Sequence, residues 1–186
     1  PHVNCVNITP DQKYLCAVDL GVDQVKIYKF NYETGKITLM DMLRCEQESA
    51  PRIIKFSPDG RFAYLICELK NYISVYSYKD GPRGPIFELV QTISTLNDYH
   101  SKGSAACVLR FSRDWNYVLC SNAGDNSIGI FKVDHETGML EKICILPISG
   151  DYPKAADFFP DNRHIMALNH ESNTMTIFRI NYEKKY

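Results

Sequence analysis

Apolar and polar side chains alternate in short runs along this chain, and turn sequences separate the runs. One run, residues 25–28 (Val-Lys-Ile-Tyr), has matching runs at residues 73–76, 128–131 and 175–178. In each run large apolar residues take every second position, which is the period of a strand with two unlike faces. The runs are also rich in β-branched and aromatic residues, which favours strand over helix. The pattern therefore predicts a chain built from many short β-strands.

A second segment recurs in step with these strands. Residues 8–15 (Ile-Thr-Pro-Asp-Gln-Lys-Tyr-Leu) resemble residues 56–63 (Phe-Ser-Pro-Asp-Gly-Arg-Phe-Ala), and further copies lie at residues 111–118 and 159–165. Each copy is a turn between two apolar runs and contains one aspartate. The aspartates, separated by 48, 55 and 47 residues, are Asp11, Asp59, Asp114 and Asp161. Self-similarity at such a spacing indicates a repeat architecture.

A third recurring segment completes the repeat. Residues 33–36 (Glu-Thr-Gly-Lys) and 136–139 (Glu-Thr-Gly-Met) are turns whose glycine can take a positive φ, and residues 80–84 fill the same place in the second repeat. Each turn leads into another apolar run, so one repeat contains four strands. Four strands in about 45–50 residues match one blade of a β-propeller. We therefore predict an all-β fold of four-stranded antiparallel blades. A β-sandwich is the alternative, but it gives no reason for near-copies.

The repeats predict about four blades in a single propeller domain. Their expected limits are residues 2–48, 49–97, 104–148 and 152–182. The fourth repeat stops after its third strand, near Ile180. Such a chain could close as a small ring, pair with another copy or form part of a larger ring, and we favour the last. Because unpaired sheet edges recruit partners, we also expect self-association through the exposed blade edges.

Composition narrows the possible partners and the compartment. The chain has 186 residues and a formal net charge of -1, so no basic surface predicts nucleic-acid binding. We find no apolar stretch long enough to cross a bilayer and no signal peptide, and we expect no membrane partner. The seven cysteines include no Cys-x-x-Cys pair, and most lie in apolar runs. Buried thiols of this kind are typical of a reducing cytoplasm, although metal or redox use stays open.

Four stretches resemble the motifs of a known family. They are residues 19–25, 50–60, 121–128 and 152–154. In this order they are similar to motifs of the seven-bladed lactonase family, which contains the propeller-type 6-phosphogluconolactonases and the fungal-type 3-carboxy-cis,cis-muconate lactonizing enzymes. The resemblance covers essentially the whole chain and places it in the later half of the family sequence. It implies a small anionic lactone or sugar acid bound at one mouth of the central channel, with no cofactor and no metal.

The resemblance implies three catalytic residues. By motif position, His2 resembles the first histidine of the family's Pro-His-x-His segment, Arg52 the arginine of Gly-Pro-Arg-His and Glu68 the glutamate of Asn-Glu-Leu. Lactone hydrolysis needs a base that activates water and a cation or donors that hold the developing oxyanion. Glu68 could be that base, Arg52 could hold a carboxylate or phosphate, and His2 could exchange a proton near neutral pH. Each residue also has an interpretation without catalysis. Glu68 could be a solvated turn residue, Arg52 could cap a loop, and His2 could lie at a frayed chain end.

Three further residues are predicted to bind the substrate. Lys154 keeps a positive charge where the family has the arginine of Pro-Arg-Asp-Phe, and Asn122 lies in the stretch that resembles its Ser-Asn-Arg-Gly segment. His170 follows the second strand of the fourth repeat and could line the same mouth, although a surface turn is the competing reading. His100 lies in residues 97–104, the one loop that exceeds the blade pattern, and long loops often carry function.

The chain departs from the family pattern at positions where the family carries histidine, arginine or asparagine. These positions are Asn4, Ile53, Cys67, Ala123 and Lys154. Two hypotheses follow. The first is an enzyme that hydrolyses or forms a lactone of a sugar acid or carboxymuconate, most similar to 6-phosphogluconolactonase. The second, motivated by the histidine lost at Ile53 and the arginine lost at Ala123, is a non-catalytic propeller that binds a small ligand or a partner protein.

Overall fold

The computed structural model describes residues 1–98 and 103–184 of the chain. Within these residues the chain forms fifteen strands and one short 3₁₀ turn, Leu20–Val22. The strands pair into four antiparallel sheets, and each sheet contains consecutive strands in their order along the chain. The chain divides into two compact units, Pro1–Thr92 and Ile93–Tyr186.

The first unit holds two four-stranded sheets. The first sheet contains β1 (Val3–Ile8), β2 (Tyr14–Asp19), β3 (Gln24–Phe30) and β4 (Ile37–Arg44). The second sheet contains β5 (Pro51–Phe56), β6 (Phe62–Cys67), β7 (Tyr72–Gly81) and β8 (Gly84–Ser94), whose end passes the limit of the unit. Consecutive strands pair as hairpins in both sheets, which is the blade topology that the repeats predict.

The second unit holds one four-stranded and one three-stranded sheet. The four-stranded sheet contains β9 (Ala105–Phe111), β10 (Tyr117–Ala123), β11 (Ser127–Val133) and β12 (Leu140–Pro147). The three-stranded sheet contains β13 (Pro153–Phe158), β14 (His164–Asn169) and β15 (Thr174–Arg179). The predicted all-β fold of propeller blades is confirmed. Within the residues that the structure describes, the fourth repeat contains three strands.

The core of the first unit is formed by apolar side chains of both of its sheets. All of β6 is buried, and Leu65 of this strand shares one cluster with Ile54 of β5. Cys16, Val18 and Ile27 of the first sheet belong to the same cluster. These are the inward positions of the alternating runs. Burial of such a side chain stabilises the folded state by about 1.5–3 kcal/mol, so the period-two pattern accounts for the packing of one sheet on the next.

The core of the second unit is built in the same way. Leu119 and Ile130 of its four-stranded sheet cluster with Ile165 of its three-stranded sheet. Gly129 interrupts the apolar run of β11 for a steric reason, since a Cβ atom at this position would lie 2.8 Å from the Sγ atom of Cys120. Such an approach is too close for any real side chain, so the run keeps its strand period only with glycine here.

The recurring aspartate marks a turn that its own side chain holds closed. The Oγ–H group of Ser57 donates to Asp59 Oδ1 at 2.6 Å, and the backbone N–H of Arg61 donates to the same oxygen at 3.1 Å. The same hydroxyl–carboxylate bond, again 2.6 Å long, joins Thr9 to Asp11 and Ser112 to Asp114. Partial burial works against the charge, but these hydrogen bonds prevail and lower the pKa of Asp59 to about 2.

Replacing Asp59 with alanine should destabilise the protein at neutral pH but not near pH 2. The pKa of this carboxyl is depressed in the folded state, so its stabilising effect is complete above about pH 4 and is lost as the pH falls toward about 2. We expect a loss of about 0.5–1 kcal/mol at neutral pH, because water screens a half-exposed group. Urea unfolding at the two pH values, followed by circular dichroism, measures the difference. Glu33→Ala, in an exposed turn, is the control, and equal losses at both pH values would refute this assignment.

The turn between the second and third strands of a blade fixes where the next blade begins. In the first unit Asp23 has a φ of 52°, and its two carboxylate oxygens accept the backbone N–H groups of Glu48 and Ala50, each at 2.8 Å. In the second unit Asn126 also has a φ of 52°, and its Oδ1 atom accepts the backbone N–H of Tyr152 at 2.8 Å. Aspartate and asparagine enter this left-handed region more readily than most residues.

Candidate functional site

Each sheet has a β-bulge near the beginning of its first strand. The pairing between the first and second strands shifts register once at this point in all four sheets. The residues inside the shifts are Asn4, Arg52, Cys107 and Lys154. A bulge re-aims a side chain and is common beside active sites. Two predicted site residues, Arg52 and Lys154, therefore take equivalent positions in their own sheets.

A backbone hydrogen bond ties the residue after the second strand to the residue before the first strand in three of the sheets. The bonds, 2.8 to 3.0 Å long, run from the N–H of Leu20 to the carbonyl of His2, from Glu68 to Ala50 and from His170 to Tyr152. Because this bond repeats, the predicted site residues His2, Glu68 and His170 lie at the same end of their respective sheets. The bulge residues lie at that end as well.

In the second sheet this end carries an ion pair. Arg52 Nη1 donates to Glu68 Oε2, and both side chains are mostly buried, with 27% and 20% of their surface exposed. The structure thus brings together two of the three residues predicted to be catalytic. Asn4 of the neighbouring sheet donates from Nδ2 to the carbonyl of Arg52 at 3.4 Å. The sequence marked Asn4 only as a departure from the family pattern and gave no signal of this contact.

The backbone of His2 is anchored at the same end of the first sheet. Its N–H donates to Asp19 Oδ1 at 2.6 Å, while Lys26 Nζ lies 3.2 Å from Asp19 Oδ2. Burial opposes the charge of Asp19, but the hydrogen bonds from His2 and Lys26 outweigh it and lower the pKa of this carboxyl. Gly21 packs against His2, since a Cβ atom on Gly21 would lie 3.1 Å from the Cβ atom of His2. The side chain of His2 itself is exposed.

In the fourth sheet two predicted residues contact the same aromatic ring. Lys154 Nζ lies 5.4 Å from the ring centroid of Tyr152, and the ring of His170 lies 6.4 Å from it in an edge-on arrangement. Tyr152 has a φ of 61°, a left-handed conformation that is rare for a bulky side chain. Backbone strain of this kind clusters at functional sites. No role was predicted for Tyr152 from the sequence. Its place directly before Pro153 and Lys154 was the signal that could have identified it as a site residue.

Asn122 is more deeply buried than the other predicted site residues. Its side chain is fully buried, and its Nδ2 atom donates to the carbonyl of Thr95 at 2.8 Å and to Ser127 Oγ at 3.0 Å. Ala123, not Asn122, takes the place of Glu68 in this sheet. The substrate contact predicted for Asn122 stays a prediction. His100, the histidine of the long loop, lies outside the described residues.

The predicted residues fall into two groups, one in each unit. His2, Arg52 and Glu68 belong to the first unit, and Lys154, His170 and Asn122 belong to the second. Within residues 1–98 and 103–184, no three or more His, Cys, Asp or Glu side chains are grouped so that they could hold a metal ion. In the same part of the chain, no helix has the length and apolar character needed to cross a membrane.

Comparison with known proteins decides the family. Residues 1–185 match the family described as lactonase, 7-bladed beta-propeller. This chain belongs to that family. The lactonase family predicted from the order of the motifs is therefore confirmed. The chain spans about half the length of the curated relatives that it matches.

Two of the proteins similar to this lactonase-family chain are named as lactonases. The 6-phosphogluconolactonase of Bacillus subtilis is 28% identical over 178 residues, which cover 96% of this chain and 50% of the relative. A Lactococcus lactis protein is 36% identical over 178 residues, or 95% of this chain and 51% of the relative. Among solved structures, the periplasmic gluconolactonase of Pseudomonas aeruginosa aligns with a TM-score of 0.89 at 28% identity, covering 100% of this chain and 52% of that chain.

Proposed function

We propose that this lactonase-family protein hydrolyses or forms the lactone of a sugar acid, with 6-phosphogluconolactone as the leading substrate. The observation that carries the proposal is the mostly buried ion pair between Arg52 and Glu68, at one end of the second sheet. The names of the Bacillus and Pseudomonas relatives support the substrate class. A carboxymuconate lactone is the second substrate class that the same groups would suit.

The ion pair offers a base for lactone opening and a cation that can bind the anionic group of the substrate. When an anionic substrate binds, the guanidinium of Arg52 turns from Glu68 to the substrate oxygens and holds them through two parallel hydrogen bonds. The carboxylate of Glu68 then removes a proton from a water molecule, and the oxygen atom of that water molecule attacks the lactone carbonyl. The bond between the carbonyl carbon and the ring oxygen breaks, and His2 is proposed to give that oxygen a proton.

The fourth sheet, taken by itself, carries a second set of side chains that we propose to suit an anion. Lys154 contributes a positive charge at the bulge, and His170 contributes a ring nitrogen at the neighbouring strand end. Tyr152 contacts both side chains and restricts where they point. A lysine holds phosphate as a point charge, without the two-pronged geometry of arginine. We therefore propose that this sheet selects for negative charge more than for the shape of the anion.

An assay of three lactones tests the proposal. Acid release from 6-phosphogluconolactone, gluconolactone and a carboxymuconate lactone is followed at constant pH and corrected for spontaneous opening. We expect the fastest enzymatic opening with the phosphorylated lactone. Equal rates with the first two compounds would remove phosphate recognition from the proposal. No turnover of any of the three would favour the non-catalytic alternative, in which the propeller only binds a ligand or a partner protein.

We further propose that this 186-residue chain self-associates through its exposed blade faces. The edge strand β1 leaves Val3, Val6 and Ile8 more than half exposed, and the edge strand β15 does the same with Met175 and Ile177. Neighbouring apolar side chains of this size on a sheet favour pairing with another sheet.

Light scattering on the 186-residue chain is expected to give masses above that of the monomer. Val6→Lys combined with Ile8→Lys should lower the association, whereas Leu89→Lys, at another exposed apolar position, is the matched control. A uniform monomer at all concentrations would rule out this contact. An equal effect of the control would show that general surface charge, not the face of β1, limits association.

We propose a cytoplasmic location. All seven cysteines are reduced in the structure, which suits a reducing compartment. The Pseudomonas structure belongs to a periplasmic gluconolactonase, so the family name alone does not decide the compartment. Cell fractionation of the source organism, with antibodies against the complete protein, tests this proposal.

A further inference from the structure

A cavity lies at one end of the fourth sheet, opposite the end that carries Lys154 and His170. Its volume is about 590 Å³, which is within the range of small-molecule sites. The strand β14 runs from His164 to Asn169, so its six residues place about 20 Å between the cavity and His170. The residues that line the cavity belong to the second unit and include Tyr117, Arg163, Arg179, Ile180, Tyr182 and Glu183.

The floor and one wall of the cavity are fixed by the fold. Ile180 belongs to the buried core of the second unit, and its backbone N–H donates to the carbonyl of Arg163 at 2.8 Å. The ring of Tyr182 stacks on the ring of Tyr117, with 3.7 Å between the ring centroids. The hydroxyl of Tyr182 donates to the carbonyl of Asn162. Because Tyr117 and Tyr182 come from consecutive repeats, the cavity forms where the two repeats of the second unit pack together.

Arg163 lacks the partner that its equivalent has in the second sheet. Arg61 takes the same place there, and its Nε atom donates to Asp59 Oδ2 at 2.6 Å. In the fourth sheet the matching oxygen, Asp161 Oδ2, instead lies 2.5 Å from Nδ1 of His164. The other oxygen of Asp161 accepts the backbone N–H groups of Arg163 and His164, each at 2.9 Å. The carboxylate nearest in sequence is therefore already occupied, and the guanidinium of Arg163 stays available to a ligand.

A second guanidinium, that of Arg179, lines the same cavity. Arg179 pairs with His164 across β14 and β15, so both arginines lie at the same end of the sheet, and both are exposed. Within residues 1–98 and 103–184, neither guanidinium forms a hydrogen bond or an ion pair with another residue. Among the described lining residues Glu183 is the one carboxylate, against two arginines. The excess of positive charge favours an anionic ligand.

We propose that this cavity binds the phosphate group of a small hydroxylated organic phosphate, such as a sugar phosphate. A guanidinium presents paired N–H groups that match two oxygens of a phosphate, and two guanidiniums balance its double negative charge. The cavity is much larger than a phosphate ion, and Ile180 and Tyr117 give the remaining space an apolar floor and an aromatic wall. The carboxylate of Glu183 is placed to accept a hydrogen bond from a hydroxyl group of the ligand.

This site is separate from the proposed lactone site. Lys154 and His170 lie at the other end of the fourth sheet, and Arg52 and Glu68 belong to the other unit. The proposal therefore does not rest on the proposed lactonase function.

Calorimetric titration of the complete protein with three compounds tests the class of ligand. The compounds are glucose 6-phosphate, inorganic phosphate and glucose, at constant pH and ionic strength. None of them is a lactone, so lactone turnover does not disturb the measurement. We expect glucose 6-phosphate to bind most tightly, inorganic phosphate to bind more weakly and glucose to show no binding. Equal affinities for the two phosphates would overturn the assignment to an organic phosphate.

Substitutions show whether the ligand occupies this cavity. Arg163→Gln and Arg179→Gln should each weaken the binding of glucose 6-phosphate by about tenfold, the effect of losing one charged hydrogen bond. Arg113→Gln is the matched control and should leave the affinity unchanged, because Arg113 is exposed but does not line the cavity. Lys154→Gln should also leave the affinity unchanged, since Lys154 lies at the other end of the sheet.

Two results would reject the cavity as the site. One is an absence of binding to the wild-type protein, or binding that persists unchanged in both arginine variants. The other is a loss of binding in Lys154→Gln alone, which would assign the ligand to the proposed lactone site. Loss in the two arginine variants with both controls intact supports the proposal whether or not the protein opens lactones, so the two proposals can fail separately.

Discussion

Replacing Glu68 with glutamine should lower kcat for 6-phosphogluconolactone by about 10²–10⁴-fold, the range expected for removal of a general base. Glutamine has the same shape and can still accept a hydrogen bond from Arg52 through its amide oxygen, so the sheet end should keep its structure. It cannot take a proton from water. The loss should therefore fall on kcat, with KM changed little.

Initial rates at several substrate concentrations, measured for the complete protein, separate these two constants. Glu33→Gln is the matched control, because it makes the same chemical change in an exposed turn far along the chain from the site. An unchanged kcat in the Glu68 variant would remove this carboxylate from the mechanism. A parallel loss in the Glu33 variant would show that the assay responds to general stability.

Replacing Arg52 should raise KM more than it lowers kcat. The guanidinium is proposed to leave Glu68 and hold the anionic group of the substrate, an interaction made on binding and kept in the transition state. We expect Arg52→Ala to lower kcat/KM by about 10²–10³-fold. Arg52→Lys should recover only part of this loss, because a lysine keeps the charge without the paired N–H groups.

The same rate measurements check this expectation, and Arg83→Ala, in the turn between β7 and β8, is the control for loss of a positive charge. Full recovery by lysine would show that charge alone is needed at this position. If KM stayed constant in Arg52→Ala while kcat fell, Arg52 would hold the developing oxyanion and not the anionic group of the ground state.

The sequence predicted the blades because each element of the repeat has a local cause. Alternating runs such as residues 25–28 have one face to bury, and Asp59 closes its turn through bonds to neighbours two residues away. Arg52 and Glu68 were predicted from the resemblance to the family's motifs. Their equivalents in the other sheets are held by the same bulge and the same backbone bond.

The remaining parts of the site depend on contacts between residues far apart in the sequence. Tyr152 has a left-handed backbone and donates its N–H to Asn126, and nothing in the residue type predicts this conformation. The burial of Asn122 depends on a carbonyl 27 positions away. Periodicity fixes which residues share an edge, but it does not fix which side chains on that edge touch.

The turn residues Asp23 and Asn126 have a consequence for how such proteins grow. Each accepts hydrogen bonds from the backbone at the start of the following repeat. A single repeat therefore contains both the residues that form its own sheet and the residue that attaches the next repeat. A gene duplication that copies one module copies this attachment with it. Adding one repeat thus requires no newly evolved interface. Side chains at the shared edge can diverge while the hydrogen bonds between repeats stay intact.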